Sequence, residues 1–163
     1  MRASSVPAAC LWFVVSIAPP APQTELDRIV ARVNTSIITQ SDVHQARVLA
    51  LVEDASSDET VERALEDRLL ILREMAHAAP VIVADADVAA RRAAWEPRLG
   101  GAARATAALA AAGMSDGALQ VWMRDDARIQ AYLKGQFGTL PDAERARTMA
   151  EWITRLRQRA GLK

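Results

Sequence analysis

Cysteine occurs once in the 163 residues, at Cys10, and histidine only twice, at His44 and His77. A single cysteine makes no disulfide framework, and since Cys10 lies in the expected signal segment, no Cys–His nucleophile is expected in the mature chain. No Gly-x-Ser-x-Gly elbow is present. No glycine-rich loop follows a strand, because the glycines at 100, 101, 113, 117, 135 and 138 stand at the ends of helical stretches or singly. Nucleotide binding therefore has no support. The 20 basic residues are matched by 20 acidic ones and are not gathered into a block that would track a phosphate backbone. Nucleic acid is not an expected partner.

What is present is an ordinary globular composition, 51% hydrophobic and 25% charged, of a length that suits one domain with a real core. The N-terminus differs from the rest. An apolar run, VPAACLWFVVSIA at Val6 to Ala18, follows Arg2 and precedes the proline-rich PPAPQTE. The run is short for a span of about 20 residues and suits the h-region of a signal peptide. Ser16 and Ala18 place small residues at the minus-three and minus-one positions, although Pro19 directly after them is a poor match. Residues 1–22 are thus expected to be signal peptide and linker, the alternative being a retained N-terminal membrane anchor. Lipidation of Cys10 is disfavoured, since Pro7, Ala8 and Ala9 lack the usual aliphatic residue before it. Cleavage removes Cys10 and Arg2, leaving 19 basic against 20 acidic residues in an exported domain held by packing alone.

Arg28 to Val33 alternates as a strand, with Ile29, Ala31 and Val33 on one face. Asn34-Thr35-Ser36 forms a turn, and Ile37 to Thr39 returns as a second strand. Thr39 is placed to cap a first helix with Asp42 three residues on, running to about Asp54 and burying Val43, Ala46, Leu49 and Ala50. From Glu59 to about Ala78, Val61, Ala64, Leu65, Leu69, Leu72, Met75 and Ala76 form one helical stripe that Pro80 ends. Val81 to Val83 is extended. Further helices are expected at Asp85 to Glu96, at Ala102 to Ala112, from a Ser115 cap to about Lys134 and from Asp142 to Gly161. The fifth turns Leu119, Trp122, Ile129 and Leu133 inward. The sixth carries Met149, Trp152, Ile153 and Leu156 on one face, with Arg155, Arg157, Gln158 and Arg159 mostly elsewhere. The fold class is mainly α, a bundle of five to six helices with a short N-terminal β-hairpin and a C-terminal helix packing back on the core.

Catalytic constellations fail one after another. Ser41, Asp42 and His44 are neighbours on one helical turn and point in different directions. Glu74 and His77 have the E-x-x-H spacing of a di-iron motif, but that chemistry needs a second copy and two more glutamates. A solvated helix end is the preferred reading there. Asp125 and Asp126 diverge by about 100° on a helix and cannot share a proton. No metal, no cofactor and no catalytic residue is expected. Asp126 nevertheless falls in the apolar stripe of its helix and Arg68 in that of the second, so the two are expected to pair between helices. Trp95, Trp122 and Trp152 read as core aromatics or as a sticky surface, with core preferred for any one of them.

Five stretches in order carry a resemblance. DRIVARVNTSIITQSDV is similar to D-x-I-V-A-x-V-N-x-x-x-I-T-x-S-[DE]-[VL], and ALEDRLLILREM to L-I-D-E-x-L-L-x-x-E. VIVADADV, ALAAAGMS and VWMRDDARIQAYLKGQF follow the same family's later motifs, so that Leu26 to Phe137 is covered. The chain resembles the N-terminal chaperone domain of SurA and its relatives, exported folding factors of the bacterial envelope. Departures are Ala84 in place of a capping serine, Ala64 in place of a larger aliphatic and an alanine-rich insert at Glu96 to Ala112. The resemblance implies a SurA N-terminal-like chaperone domain at residues 23–138, completed by a C-terminal helix at residues 139–163. It implies a periplasmic, ATP-independent, holdase-like module that takes part in protein folding and outer membrane biogenesis. Unfolded or partly folded exported polypeptides would be its partners. The alternative is a degenerate structural or protein-interaction module that dimerises or binds one partner. Parvulin-type peptidyl-prolyl isomerase domains usually follow in this family, and none is found here, so the isomerase label is not expected to carry activity. An apolar crevice between the hairpin-helix core and the terminal helix is the expected peptide-binding site. Trp95, Met114 and Met123 are the expected client contacts, because thioethers and aromatics adapt to varied partners.

Overall fold

The computed structural model describes residues 27–162; the expected signal peptide and linker, with Cys10, lie outside the described residues. A two-stranded antiparallel hairpin, β1 (Ile29–Val33) and β2 (Ser36–Thr39), opens the described chain. Six α-helices follow: α1 (Gln40–Val48), α2 (Asp58–Ala76), α3 (Asp85–Trp95), α4 (Ala102–Ala111), α5 (Asp116–Phe137) and α6 (Asp142–Arg159). A 3₁₀ turn, Glu96–Leu99, joins α3 to Gly100 and Gly101, whose φ angles of 86° and 101° suit residues without a Cβ. No helix among the described residues is long and apolar enough to cross a membrane.

Local chemistry explains the element ends. Asn34 takes a φ of 55° in the hairpin turn, a conformation its short polar side chain tolerates. A bulge between Ile29 and Ala31 breaks the strand's alternation, which is why Ile29 is half exposed while Val33 is buried. At the start of α1, Thr39 Oγ1 accepts from Asp42 N at 3.2 Å and Asp42 Oδ2 accepts from Thr39 N at 2.8 Å. Asp27 adds a bond from Ser41 N at 3.1 Å. Hydrogen bonding to Asp27 itself, from the Thr39 side chain foremost and then from Ser41, holds its carboxyl below the ordinary value.

The helix α1 stops at Val48 and not near Asp54. Ala50 N–H donates to Arg47 O at 3.1 Å and Leu51 N–H to Ala46 O at 2.9 Å, with Ala50 at a φ of 47°. That is a Schellman ending with alanine where glycine is usual. Ala50 is accordingly only half-buried, while Val43, Ala46 and Leu49 are buried.

A reciprocal cap opens α2. Ser57 Oγ accepts from Thr60 N at 3.1 Å and Thr60 Oγ1 from Ser57 N at 3.0 Å. Ser57→Ala should lower stability by about 1 kcal/mol in urea unfolding with an unchanged m-value.

Two apolar clusters meet along α5. The first joins Val33, Ile38, Val43, Val61, Leu65, Leu70, Ile71, Met75, Ile129 and Leu156, so the hairpin, α1, α2 and α6 share one core. The second gathers Leu49, Val88, Trp95, Ala105, Leu109, Leu119 and Met123 from α3, α4 and the first half of α5. Trp95 is 2% exposed and its Nε1–H donates to Leu49 O at 2.7 Å, tying α3 to the end of α1.

Candidate functional site

The helix α2 has two working sides. At 100° per residue, Leu65, Arg68, Leu69 and Leu72 fall on one side and Glu66, Leu70, Arg73 and Glu74 on the other. The second side receives α6. Arg157 donates to Glu66 Oε2 and to Asp67 Oδ1, each at 2.7 Å, and Arg159 to Glu74 Oε2 at 3.0 Å. Burial works against the Arg157 charge, but the bonds from Asp67 and Glu66 outweigh it and hold the guanidinium above its ordinary value. Trp152 completes the dock, edge-on to Phe137 at 5.5 Å between ring centroids and 6.2 Å from Tyr132.

The first side stays open. Between β2, α1, α2 and α5 lies a cleft of about 380 Å³. Its floor is Leu65, Leu69, Leu72 and Trp122, and Met114 stands at one end. Gln45 Nε2 donates to Ala112 O at 3.1 Å and so fixes the turn that carries Met114. Ile37 and Val121, on the rim, are 47% and 59% exposed. Both apolar side chains stand half in water at the edge of the same concave floor.

Arg68 makes one wall of this cleft. Its guanidinium lies 3.9 Å from the centre of the Trp122 ring and donates to Trp122 O at 3.0 Å. It also reaches Asp126 Oδ1 at 3.7 Å and Asp125 Oδ2 at 4.0 Å. Burial pushes the Arg68 guanidinium down from its ordinary value, and Asp126 and then Asp125 offset part of that shift. Trp122 is therefore held in place from its face and its backbone at once.

The expected residues are distributed as follows. Arg68 and Asp126 do come together, but Arg91 is the closer cation to Asp126, and Asp125 has Arg128 at 3.2 Å. The two carboxylates that diverge on the helix are bridged by one guanidinium. Of the expected client contacts, only Met114 lines the cleft. Trp95 and Met123 are instead buried in the second cluster, at 2% and 5% exposure, and border only a smaller cavity of about 130 Å³ beside Arg91, Arg98 and Asp126. A cavity of about 230 Å³ does lie against the terminal helix, where Asn34, Leu70, Glu74, His77, Leu156 and Arg159 meet, but its lining is as polar and charged as it is apolar; the more apolar cleft lies on the other side of α2. Ser41 and His44 are exposed on α1, Glu74 is engaged by Arg159, and His77 caps the end of α2. Among the described residues, no group of three or more His, Cys, Asp or Glu side chains is placed to hold a metal ion.

Sequence reasoning missed Arg157 and Glu66. Glu66 lies three and four residues before Leu69 and Leu70, and an acid on the shoulder of an apolar stripe was the available signal.

Comparison of the chain with protein-family models, with curated proteins and with solved structures gives no match. The fold and the cleft define a small, mainly helical domain whose α1, α2 and α5 and one hairpin strand enclose an open apolar groove.

Proposed function

We propose that the chain is an exported, ATP-independent, holdase-like chaperone module of the periplasm. It binds unfolded or partly folded envelope and outer-membrane polypeptides without catalysis. The observation that carries this reading is the open apolar groove, floored by Leu65, Leu69, Leu72 and Trp122 and rimmed by exposed Ile37 and Val121. A holdase needs no reacting group. It needs apolar area that competes reversibly with client self-association and so lowers the free aggregating species. The apolar N-terminal run supplies the export signal in this reading, and the ordered likeness to the SurA N-terminal domain supports the same class.

A second reading, a structural or interaction module that dimerises or docks one envelope partner, is favoured by the two-stranded hairpin, since a two-stranded sheet leaves an outer edge on each strand. Light scattering of a urea-unfolded outer-membrane polypeptide on dilution separates the two. The chaperone reading expects suppression at near-stoichiometric ratios without nucleotide; undiminished scattering at those ratios favours the interaction module. A protease-coupled prolyl assay is expected to read background, and clear turnover would restore the isomerase label.

A further inference from the structure

The groove is walled on one side by the edge of a strand. Successive residues of a strand project to opposite faces, yet both Ile37 and Ile38 line the groove. A cavity reached from both faces lies along the strand's edge, and the other edge of β2 is taken by β1. The two-residue loop Asn34–Thr35 makes Val33 and Ser36 the closing pair, which exchanges both ladder bonds. The next pair, Arg32 and Ile37, then turns the N–H and C=O of Ile37 away from β1. Among the described residues, none outside the ladder bonds to the Ile37 backbone. Thr39 N–H is already taken by Asp42. A single unpaired backbone pair therefore borders the apolar floor.

Charge narrows the occupant further. The ionised side chains lining the groove are Asp42, which is exposed, Asp125, 27% exposed, and Arg68, only 12% exposed. The one lining cation is turned beneath Trp122 and faces carboxylates, and Arg128 also meets Asp125 at 3.2 Å, so the uncompensated charge that the groove presents is the negative one of Asp42 at its edge.

We propose that the groove takes an extended polypeptide segment with alternating apolar side chains and flanking lysine or arginine, which adds to β2 as a third strand by pairing with the Ile37 backbone. This mode of recognition draws affinity from main-chain bonds and selectivity from alternate side chains. It rests on the chaperone reading and names the form in which a client is held. A helical segment could not use the edge. An alternating strand of a polypeptide not yet folded could, at about four residues per site given the length of β2.

The test uses the whole chain and fluorescein-labelled eight-residue peptides of alternating valine and threonine, flanked by lysine or by glutamate, read by anisotropy. Two further lysine-flanked peptides are N-methylated, one on the odd and one on the even residues of the central four, so the protein itself is not perturbed. Edge addition expects one methylated series to lose about tenfold in affinity and the other to stay within about twofold, as the loss of one main-chain bond implies. The glutamate-flanked peptide should bind more weakly than the lysine-flanked one, with the gap closing at high salt. Val121→Lys on the exposed rim should weaken binding of the unmethylated lysine peptide, because it removes apolar contact and adds like charge. Equal binding of the two methylated series, or of the two flanks, overturns the proposal. No binding by any peptide while the chain still suppresses client aggregation overturns edge addition and leaves the chaperone reading; loss of both overturns both.

Discussion

Arg157→Ala is expected to cost about 3 to 4 kcal/mol in urea unfolding. The substitution removes the cation between Glu66, the only buried charged residue among the described ones, and Asp67, half-buried beside it. Glu66 would keep its burial and lose its partner. Breaking a buried pair in this way costs far more than the pair contributes over a well-packed apolar alternative. The double substitution Glu66→Leu with Arg157→Leu should therefore recover most of the loss. Limited proteolysis gives the structural readout: in Arg157→Ala the chain should be cut within 139–163 before it is cut elsewhere. A double variant as unstable as the single one would mean that the charges themselves, and not the orphaned carboxylate, set the cost.

Trp95→Ala is expected to lower stability by about 3 to 5 kcal/mol, the range for deleting a buried large aromatic. The indole fills the second cluster and its N–H satisfies the Leu49 carbonyl at the turn that ends α1. Trp95→Phe keeps most of the volume and leaves that carbonyl unpaired, for about 1 to 2 kcal/mol. Because Trp95 does not line the groove, Trp95→Phe should leave client binding unchanged at a temperature where the chain is folded. Both measurements are urea titrations followed by far-UV circular dichroism. A small cost for the alanine variant would mean that the site collapses to fill the space.

The elements that the sequence announced well are those with local signals. The hairpin had alternation and an Asn-Thr-Ser turn, α2 had one long apolar stripe, and the Thr39 and Ser115 caps accept the backbone bonds expected of them. The end of α1 was overrun because alanine at a left-handed position is no stop signal; the turn is held by the local bond from Leu51 N to Ala46 O and by the tertiary one from Trp95 Nε1 to Leu49 O. Arg68 and Asp126 could be paired in advance because each is a charge on an apolar stripe. Arg91 could not, since it stands on α3 without such a contrast and reaches Asp126 only through the packing of α3 on α5. Arg157 was placed away from the core for the opposite reason: an arginine next to Leu156 reads as solvent-facing until a buried acid faces it.

The groove itself was not legible. Trp122 was read as inward, as half of it is, but which side of α2 would receive α6 depended on Glu66 and Asp67 finding Arg157. That choice left the side of α2 with buried Leu65 and half-buried Leu69 and Leu72 facing β2 and α5. Trp95 and Met123, chosen for adaptable side chains, were consumed by the second core, while Ile37 and Val121, which carried no such signal, form the rim.

The groove is proposed to hold clients, and its rim can be altered without touching the core. The most direct measurement is the aggregation of an unfolded outer-membrane polypeptide in the presence of the chain and of its Ile37→Asp, Val121→Asp double variant, first shown by urea unfolding to be equally stable. The chain should suppress scattering at near-stoichiometric ratios, and the variant should lose most of that suppression. Equal suppression by the two proteins would contradict that role of the groove.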